Sequence, residues 1–243
     1  MSELAPFIVI LSAVMLYLGE RYWPAHDRQK PTRVGWYLRS LSITALNFVL
    51  FLVVDSLIHR YATDLAMFDF GNTLSPIAGA SLGYFIFTFV VYWWHRARHR
   101  FAFLWKWFHQ LHHSPTRIET LTAYYIHPFD LMANLIISHS IVFILLGLNL
   151  EGAGWYTVFT GIAGFLIHAN IRLPRWVGFV FQTPEMHRLH HKSDHHAHNY
   201  SDIVIWDVLF GTYQNPKQDI KQCGFKHQTE THWLRMLVGK IYE

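Results

Sequence analysis

Long apolar runs separated by short polar stretches are the main pattern along this chain. A membrane-spanning helix needs about 20 mostly apolar residues, with a working range of about 17–25. Four runs reach that length. A fifth is apolar but short, so it is either another span or half of a hairpin that enters the bilayer and returns. The pattern therefore predicts an all-α, polytopic membrane bundle with four or five spans. The runs are Pro6–Trp23, Leu41–Ile58, Pro76–Trp94, Leu131–Leu150 and the shorter Trp155–Ile167.

Basic residues in the connecting segments predict which way the bundle faces. Lys and Arg concentrate in the cytoplasmic loops of membrane proteins. They are frequent in segments 21–40, 95–130 and 170–243, whereas segment 59–75 contains a single arginine. We therefore expect the N-terminus outside and the three basic segments inside, where they form a helical cap at the cytoplasmic face. The aromatic-rich stretch 101–113 is expected to be an interfacial helix of that cap.

The chain is expected to form one membrane-embedded domain, 1–243, because it has no internal repeat, low-complexity tract or linker. Glu3 stands where a secretory signal peptide carries basic residues, and no small-residue cleavage site follows Leu18. The first apolar run is therefore expected to be a retained span.

Composition agrees with a membrane protein and excludes several other classes. Apolar residues make up 52% of the chain and charged residues only 15%, well below the roughly 25% usual in soluble domains. The net charge of +4 comes from basic residues that border apolar runs, which favours anionic lipid headgroups over nucleic acid. The single cysteine, Cys223, excludes an internal disulfide framework, a cysteine zinc finger and an iron–sulfur cluster.

Histidines form three spaced strings. W-H-R-A-R-H ends the third apolar run, and H-Q-L-H-H and H-R-L-H-H follow about 10 and 90 residues later. Residues at i, i+3 and i+4 of a helix share one face, with Cβ atoms about 5–6 Å apart, so two or three imidazoles of each string can converge on a metal ion. All three strings lie on the predicted inner side. The candidate ligands are His95, His99, His109, His112, His113, His187, His190 and His191.

Histidines outside these strings have a less specific interpretation. His26, His59, His227 and His232 are isolated, and we expect them to be packed or solvated residues near the membrane surface. His139 lies inside the fourth span, where an ionisable residue suggests function, but the sequence pattern gives it no partner.

The number of histidines narrows the kind of metal site. Neutral imidazole binds Zn, Cu, Fe and Ni alike. A catalytic zinc ion uses three protein ligands and a water, so eight or nine histidines are too many for one such ion and suit two. The zinc-protease string H-E-x-x-H is absent, and a membrane haem would use single histidines on facing spans. Two redox-active ions with open positions for O2 fit best, and iron is the usual choice.

The motifs resemble those of the fatty acid hydroxylase/sterol desaturase superfamily. The matching strings are W-W-H-R-A-R-H, L-W-K-W-F-H-Q-L-H-H-S, H-P-F-D, H-A-N, T-P-E-M-H-R-L-H-H and N-Y-S-x-x-x-x-W-D-x-x-F-G-T-Y, in that order, and they place the catalytic core at 80–215. The resemblance implies a non-haem di-iron centre that reduces O2 and hydroxylates or desaturates an unactivated C–H bond of a lipid. The substrate expected from this resemblance is a lipid such as a fatty acyl chain, a sterol, or an ether or amino lipid.

Carried over residue by residue, the resemblance assigns all eight clustered histidines as iron ligands and adds His168 as a ninth. His127, His198 and Asn199 are secondary candidates. Ser201 departs from the glycine that many members have, and the loop before it is rich in histidine. Those loop residues are either spare ligands or, as we favour, part of a solvated loop: His195, His196 and His198.

The sequence contains no G-x-G-x-x-G motif after a strand, no C-x-x-C and no fused cytochrome-like domain, so a separate cytochrome- or ferredoxin-like electron donor is expected. The basic stretches 96–106 or 172–188 can dock an acidic donor, although membrane topology explains their charge equally well. The alternative function is a His-rich membrane protein that binds or transports metal without redox chemistry. Transporters place ligands near the bilayer midplane, often beside internal repeats, and this chain has neither feature. A membrane zinc hydrolase is disfavoured by the missing H-E-x-x-H.

Overall fold

The computed structural model describes residues 2–26, 34–62, 65–195, 197–225 and 229–242, with 58–62 described as backbone only. Within these ranges the regular structure is helical, and two isolated bridges, Phe181–Ile203 and Lys192–Cys223, are the only β pairings. The predicted all-α class is confirmed. The α-helices are α1 Ala5–Tyr22, α2 Val34–Ala62, α3 Phe70–Thr73, α4 Pro76–Arg100, α5 Ala102–Leu104, α6 Gln110–His113, α7 Pro128–His139, α8 Leu150–His168, α9 Pro184–His190, α10 Ile205–Leu209 and α11 Trp233–Leu237. Two π-helical segments, Trp105–His109 and Ser140–Leu145, and three 3-10 turns, Thr120–Thr122, Arg175–Phe179 and Thr229–His232, complete the regular structure of the described residues.

Four of these helices are long and apolar enough to cross a membrane: α1, α2, α4 and α7 with its π-helical continuation to Leu145. They match the four predicted spans. The helices extend beyond the apolar runs, because α2 begins at Val34 and α4 continues to Arg100. The extension of α4 carries the first histidine pair, at the end of the span.

Serine and proline start helix α4: the Ser75 hydroxyl caps it by accepting from the Ala78 N–H, and Pro76 occupies its first position.

The fifth apolar run forms one uninterrupted helix, α8, of 19 residues, which is not among the four candidate spans. It packs against α4 and α1. Gly161 lets α1 approach closely, because a Cβ at this position would lie 2.8 Å from both methyl groups of Val9. The helix ends at His168, which brings this histidine to the same end of the bundle as Arg100.

Apolar side chains on the outer helices face outwards. Phe7 and Met15 of α1 are 70% and 64% exposed, and Phe48 of α2 is 56% exposed. A soluble protein would bury such rows of side chains, whereas lipid tails solvate them. Four apolar helices with lipid-facing surfaces identify an integral membrane protein.

Two buried clusters lie at different heights in the bundle. The first joins α4, the π segment 140–145 and α8 around Ala80, Val142 and Tyr156. The second lies beneath the cap, where Trp36, Trp105, Leu111, Tyr125 and Met236 pack together and hold the cap to the start of α2.

Buried polar contacts tie the spans to the cap and to each other. The Glu20 carboxylate at the end of α1 accepts from the backbone N–H groups of Thr120 and Asn170, both at 2.9 Å. Within the bundle, His139 of α7 contacts Asp55 of α2, with 2.9 Å between Nε2 and Oδ1. His139, for which the sequence pattern gives no partner, therefore joins two spans.

The stretch 101–113 is not one regular helix. It consists of α5, the π segment Trp105–His109 and α6. Phe103 is 66% exposed, whereas Trp105 is buried against the second cluster. The aromatic residues therefore point in different directions, and the histidines of this stretch face the interior.

Candidate metal centre

Four histidines bring one ring nitrogen each to a common point, and we call them the four-histidine group. Their nitrogen atoms all lie within 4.8 Å of one another. The Nε2 atom of His168 lies 3.2 Å from that of His112 and 2.9 Å from that of His187, and His191 Nε2 lies 3.0 Å from His187 Nε2. All four side chains are buried. The group consists of His112, His168, His187 and His191.

Five further histidines form a second group, the five-histidine group. Their nearest ring nitrogens also lie within 4.8 Å of one another. His99 and His190 approach to 3.1 Å between Nε2 atoms, and so do His109 and His113. The two groups are adjacent, because the rings of His113 and His191 stack with their centroids 4.2 Å apart. The five-histidine group consists of His95, His99, His109, His113 and His190.

Each H-x-x-H-H string divides its histidines between the two groups. His109 and His113, four residues apart, join the five-histidine group, whereas His112 joins the other. In the H-R-L-H-H string the division is reversed: His187 and His191 belong to the four-histidine group, and His190 belongs to the five-histidine group. The two histidines four residues apart in each string thus belong to the same group. The histidine at i+3, between them, belongs to the other group.

Hydrogen bonds behind two members of the four-histidine group, His168 and His187, fix where their ring protons lie. The Gly164 carbonyl lies 2.7 Å from His168 Nδ1, and the Gln182 side-chain oxygen lies 3.0 Å from His187 Nδ1. Gln182 presents its oxygen because its Nε2 donates to the Asn199 carbonyl. An oxygen of this kind only accepts, so both histidines carry their proton on Nδ1 and a lone pair on Nε2. These two lone-pair nitrogens face each other at 2.9 Å. A cation between them would replace the repulsion by coordination.

Three members of the five-histidine group are oriented in the same way. His95 Nδ1 donates to the Tyr200 carbonyl at 2.9 Å, and His190 Nδ1 donates to the His198 carbonyl at 2.8 Å. His109 Nδ1 lies 3.4 Å from an Asp130 carboxylate oxygen. The Nε2 atom of His95 is buried and has no hydrogen-bond partner among the described residues. Metal-ligating histidines typically donate their other ring N–H to a carbonyl or carboxylate, so this donor set fits a metal ion.

Burial keeps the cap histidines neutral. Loss of solvent lowers the pKa of His109, His112 and His113 well below the ordinary value, and electrostatic coupling to neighbouring side chains, Arg98 beside His109 and the other histidines, lowers it further. The same causes lower the pKa of His187 and His191. A neutral imidazole is the form that binds a metal.

The structure does not bring the secondary candidates to either group. His127 caps α7 by accepting from the Phe129 N–H, and its Nε2 donates to the Leu237 carbonyl. His198 pairs with His195 at 3.0 Å and offers only its backbone carbonyl to His190. Asn199 bonds the backbone of Met186 and Gln214. The remaining histidine of that loop, His196, lies outside the described residues.

Three residues that orient the ligands were not assigned from the sequence. Gln182 holds His187, and nothing in its sequence context marks it. Asp130 belongs to the recognised H-P-F-D string, where it pairs with Arg98 and contacts His109. Asp207 belongs to the W-D pair, and its carboxylate accepts from the Tyr200 and Ser201 N–H groups. This contact holds the carbonyl that accepts from His95.

A cleft of about 380 Å³ reaches the five-histidine group. It lies between the end of α4 and Tyr200. His99 lines it, so one member of the group faces the cleft directly. The other lining side chains include the aromatic Trp93, Phe101 and Tyr200 and the basic Arg96 and Arg100. The cleft therefore combines aromatic and basic side chains beside one histidine of the group.

The chain is similar to a lipid hydroxylase, a sterol desaturase and an aldehyde decarbonylase. An ornithine lipid hydroxylase of Rhizobium tropici is 33% identical over 139 residues, which cover 56% of this chain and 41% of that protein. A putative Δ7-sterol-C5(6)-desaturase of Arabidopsis thaliana is 29% identical over 140 residues, 53% of this chain and 45% of that protein. A very-long-chain aldehyde decarbonylase of Oryza sativa subsp. indica is 28% identical over 163 residues, 59% of this chain and 25% of that protein.

The chain spans less than half the length of these curated relatives. No solved structure matched it. The family model for fatty acid hydroxylases matches residues 80–212, which is more than half of the chain and includes both histidine groups. The chain belongs to the fatty acid hydroxylase family.

Proposed function

We propose that this protein is a membrane-bound di-iron oxygenase that uses O2 to hydroxylate or desaturate a C–H bond of a lipid. The observation that carries the proposal is the pair of adjacent, buried histidine groups whose ring nitrogens converge with lone pairs inwards. Imidazole ligands suit iron, and zinc can occupy the same positions when iron is scarce. The proposed ligands are His95, His99, His109, His112, His113, His168, His187, His190 and His191.

The chemistry that iron would supply here is the reduction of O2 by electrons delivered from outside. Hydroxylation converts a C–H bond, O2, two electrons and two protons into an alcohol and water. Desaturation uses the same reagents, removes two hydrogens from neighbouring carbons and gives a double bond and two waters. Both start by breaking one C–H bond, so the histidines alone do not select between them. The named hydroxylase and desaturase among the relatives support both outcomes and a lipid substrate.

The protein's own residues position the ligands and admit the substrate. Gln182, Asp130 and the Tyr200 carbonyl keep the ring protons of His187, His109 and His95 on Nδ1, away from the metal positions. Trp93 and Phe101 give the cleft an apolar wall, which excludes water and accepts a lipid. These contacts preorganise the centre before substrate arrives.

We further propose that the histidine groups lie at the cytoplasmic face and that 80–215 is the catalytic core of a single membrane-embedded domain, 1–243. The support is the basic character of the segments around the cap, namely 21–40, 95–130 and 170–243. A soluble cytochrome- or ferredoxin-like donor would then reach the cap from the cytoplasm.

The test is metal analysis together with lipid oxidation. Protein purified from iron-replete cells should contain two metal ions per chain and convert a lipid to a product heavier by one oxygen or lighter by two hydrogens. His112→Ala and His190→Ala should abolish product while the protein remains inserted and abundant, because each removes a ligand from a different group. His232→Ala, an exposed cap residue outside both groups, is the control and should retain activity.

One ion or none in folded wild-type protein would contradict the di-metal proposal. Two bound ions without oxygen consumption would favour a metal-binding or transport role. Normal turnover in both His112→Ala and His190→Ala would refute the assignment of the ligands.

A further inference from the structure

The cleft beside the five-histidine group is positively charged and lacks an acidic lining residue. Arg96 and Arg100 both line it. Their neighbour Arg98 is turned inwards, where its guanidinium pairs with Asp130 and is neutralised. Neither Arg96 nor Arg100 forms an ion pair with another described residue. The cleft therefore has two cationic side chains to offer a ligand.

Arg96 is held in place at the cleft wall. Its guanidinium donates to the Tyr92 hydroxyl at 3.2 Å and lies 5.6 Å from the centre of the Trp93 ring. The cation–π contact and one hydrogen bond restrain the guanidinium and leave further N–H groups for a ligand. A guanidinium binds carboxylate and phosphate oxygens with two parallel hydrogen bonds, which a neutral hydroxyl headgroup cannot match.

The size of the cleft limits which part of a lipid it holds. Its volume of about 380 Å³ is near the lower end of the roughly 300–1,000 Å³ typical of ligand sites. It accommodates a headgroup fragment and the first carbons of a chain, and the rest of the molecule stays in the bilayer. Trp93, 42% exposed, and Phe101, 59% exposed, line the apolar side of the cleft.

Arg96 and Arg100 lie close to a histidine of the five-histidine group. Arg96 precedes His99 by three residues on α4 and Arg100 follows it directly. At a rise of about 1.5 Å per residue, Arg96 and His99 are separated by roughly one helical turn along the axis. A carbon oxidised at the five-histidine group is therefore only a few bonds from a group bound by the arginines.

We infer that Arg96 and Arg100 bind the phosphate or carboxylate of a lipid substrate and present a carbon near that group to the five-histidine group. This inference rests on the proposed function and specifies its substrate class. The reaction is the hydroxylation or desaturation balanced above, applied to a C–H bond near the headgroup.

Binding by purified full-length protein in detergent separates the possible ligands. The probes are oleate, dioleoyl phosphatidylglycerol and uncharged diolein, each measured by native mass spectrometry. Arg96→Gln and Arg100→Gln should each weaken an anionic probe about tenfold, the loss expected for one charge-assisted hydrogen bond, and leave diolein unchanged. A loss confined to oleate identifies a carboxylate, and one confined to phosphatidylglycerol a phosphate. Arg96→Lys should keep part of the affinity, and Arg235→Gln, an exposed cap residue away from the cleft, should change nothing.

Equal binding of anionic probes by wild type, Arg96→Gln and Arg100→Gln would overturn the inference, and so would an equal loss of diolein. The second measurement is the position of oxidation in the product, located by tandem mass spectrometry. We expect it in the headgroup or within the first few carbons of the chain, and a mid-chain position would also overturn the inference. Absence of any oxidised lipid with wild-type protein would count against the proposed function, while the binding measurements would still decide the role of the arginines.

Discussion

At the scale of single residues, nine histidines converge in the two groups, whereas His127 and His198 lie apart from both. Spacing sufficed for the eight clustered residues, because i, i+3 and i+4 neighbours on a helix face one side. The ninth, His168, came from the family resemblance. Spacing gave no information on how each string divides between two groups. It also gave none on Gln182 or the Tyr200 carbonyl, because a residue that orients a ligand through its backbone or amide leaves no pattern in the sequence.

Asp202 is a titratable residue outside the metal groups whose environment predicts a pH dependence. Burial raises the pKa of its carboxyl to about 6, and the hydroxyl of Tyr84 donates to it at 3.3 Å. The ordinary pKa is about 3.9. Because the folded state favours the protonated carboxyl, the contribution of Asp202 to folding stability is greatest at low pH and is lost as the pH rises from about 4 through 6.

Asp202→Asn removes that ionisation and keeps a hydrogen-bond acceptor for Tyr84. The variant should be more stable than wild type at pH 7, by up to about 1.4 kcal/mol for each unit of pKa shift, and nearly equal to it at about pH 3, below both the unfolded and the folded pKa of the carboxyl. Thermal unfolding in detergent at the two pH values measures the difference. Asp219→Asn, at an exposed carboxylate, is the control. A stabilisation of the same size at both pH values would show that the charge of Asp202 is not the cause.

At the scale of elements, hydropathy predicted the four spans because a lipid-facing helix must be apolar along its length and must satisfy its own backbone hydrogen bonds. The two π-helical segments, Trp105–His109 and Ser140–Leu145, were not predicted, because a pattern of residue types does not distinguish i+5 from i+4 hydrogen bonding. π-helical turns occur frequently at functional sites. The last residue of the first segment, His109, is also the first residue of the H-Q-L-H-H string. Stretch 101–113 is therefore broken into three pieces rather than forming one interfacial helix.

The ion pair between α4 and α7 makes a testable connection between packing and the metal centre. Arg98 donates to both carboxylate oxygens of Asp130, at 2.5 and 2.6 Å, and both residues are buried. Asp130→Asn would leave a buried guanidinium without its counter-charge, which typically costs about 3–5 kcal/mol of folding stability. The exposed pair of Arg172 and Asp219 is the matched control, where Asp219→Asn should cost about 0–1 kcal/mol.

A double variant separates stability from metal binding at this pair. Arg98→Met with Asp130→Leu removes both charges and should recover much of the stability. His109 would still lack its acceptor, and loss of such a contact typically lowers metal affinity or activity about 10–100-fold. Metal titration of the refolding-competent, detergent-solubilised protein measures that affinity. Wild-type affinity in the double variant would mean that Asp130 serves packing alone.

At the scale of the whole molecule, the bundle places the loop between α2 and α4 at one end and the cap with both histidine groups at the other. Single cysteines at positions 72 and 217, in a Cys223→Ala background, report these two ends, since Asn72 and Lys217 are both exposed. With the proposed orientation, a membrane-impermeant thiol reagent should label position 72 from outside and position 217 only after the membrane is opened. The reverse labelling would place the metal centre at the outer face, and labelling of both from one side would contradict the bundle itself.

The division of the histidine strings has a consequence for how the centre is assembled. Four members of the five-histidine group, namely His95, His99, His109 and His113, lie within 19 residues of chain. This group is therefore nearly complete once the end of α4 and the stretch 101–113 have folded. The four-histidine group must instead close long loops between His112, His168 and α9. Longer loops lose more entropy on closure, so the first ion to enter is expected to occupy the local group. Chains that hold a single ion would then all hold it in the five-histidine group. In these chains α9 would be the last element to take its final position.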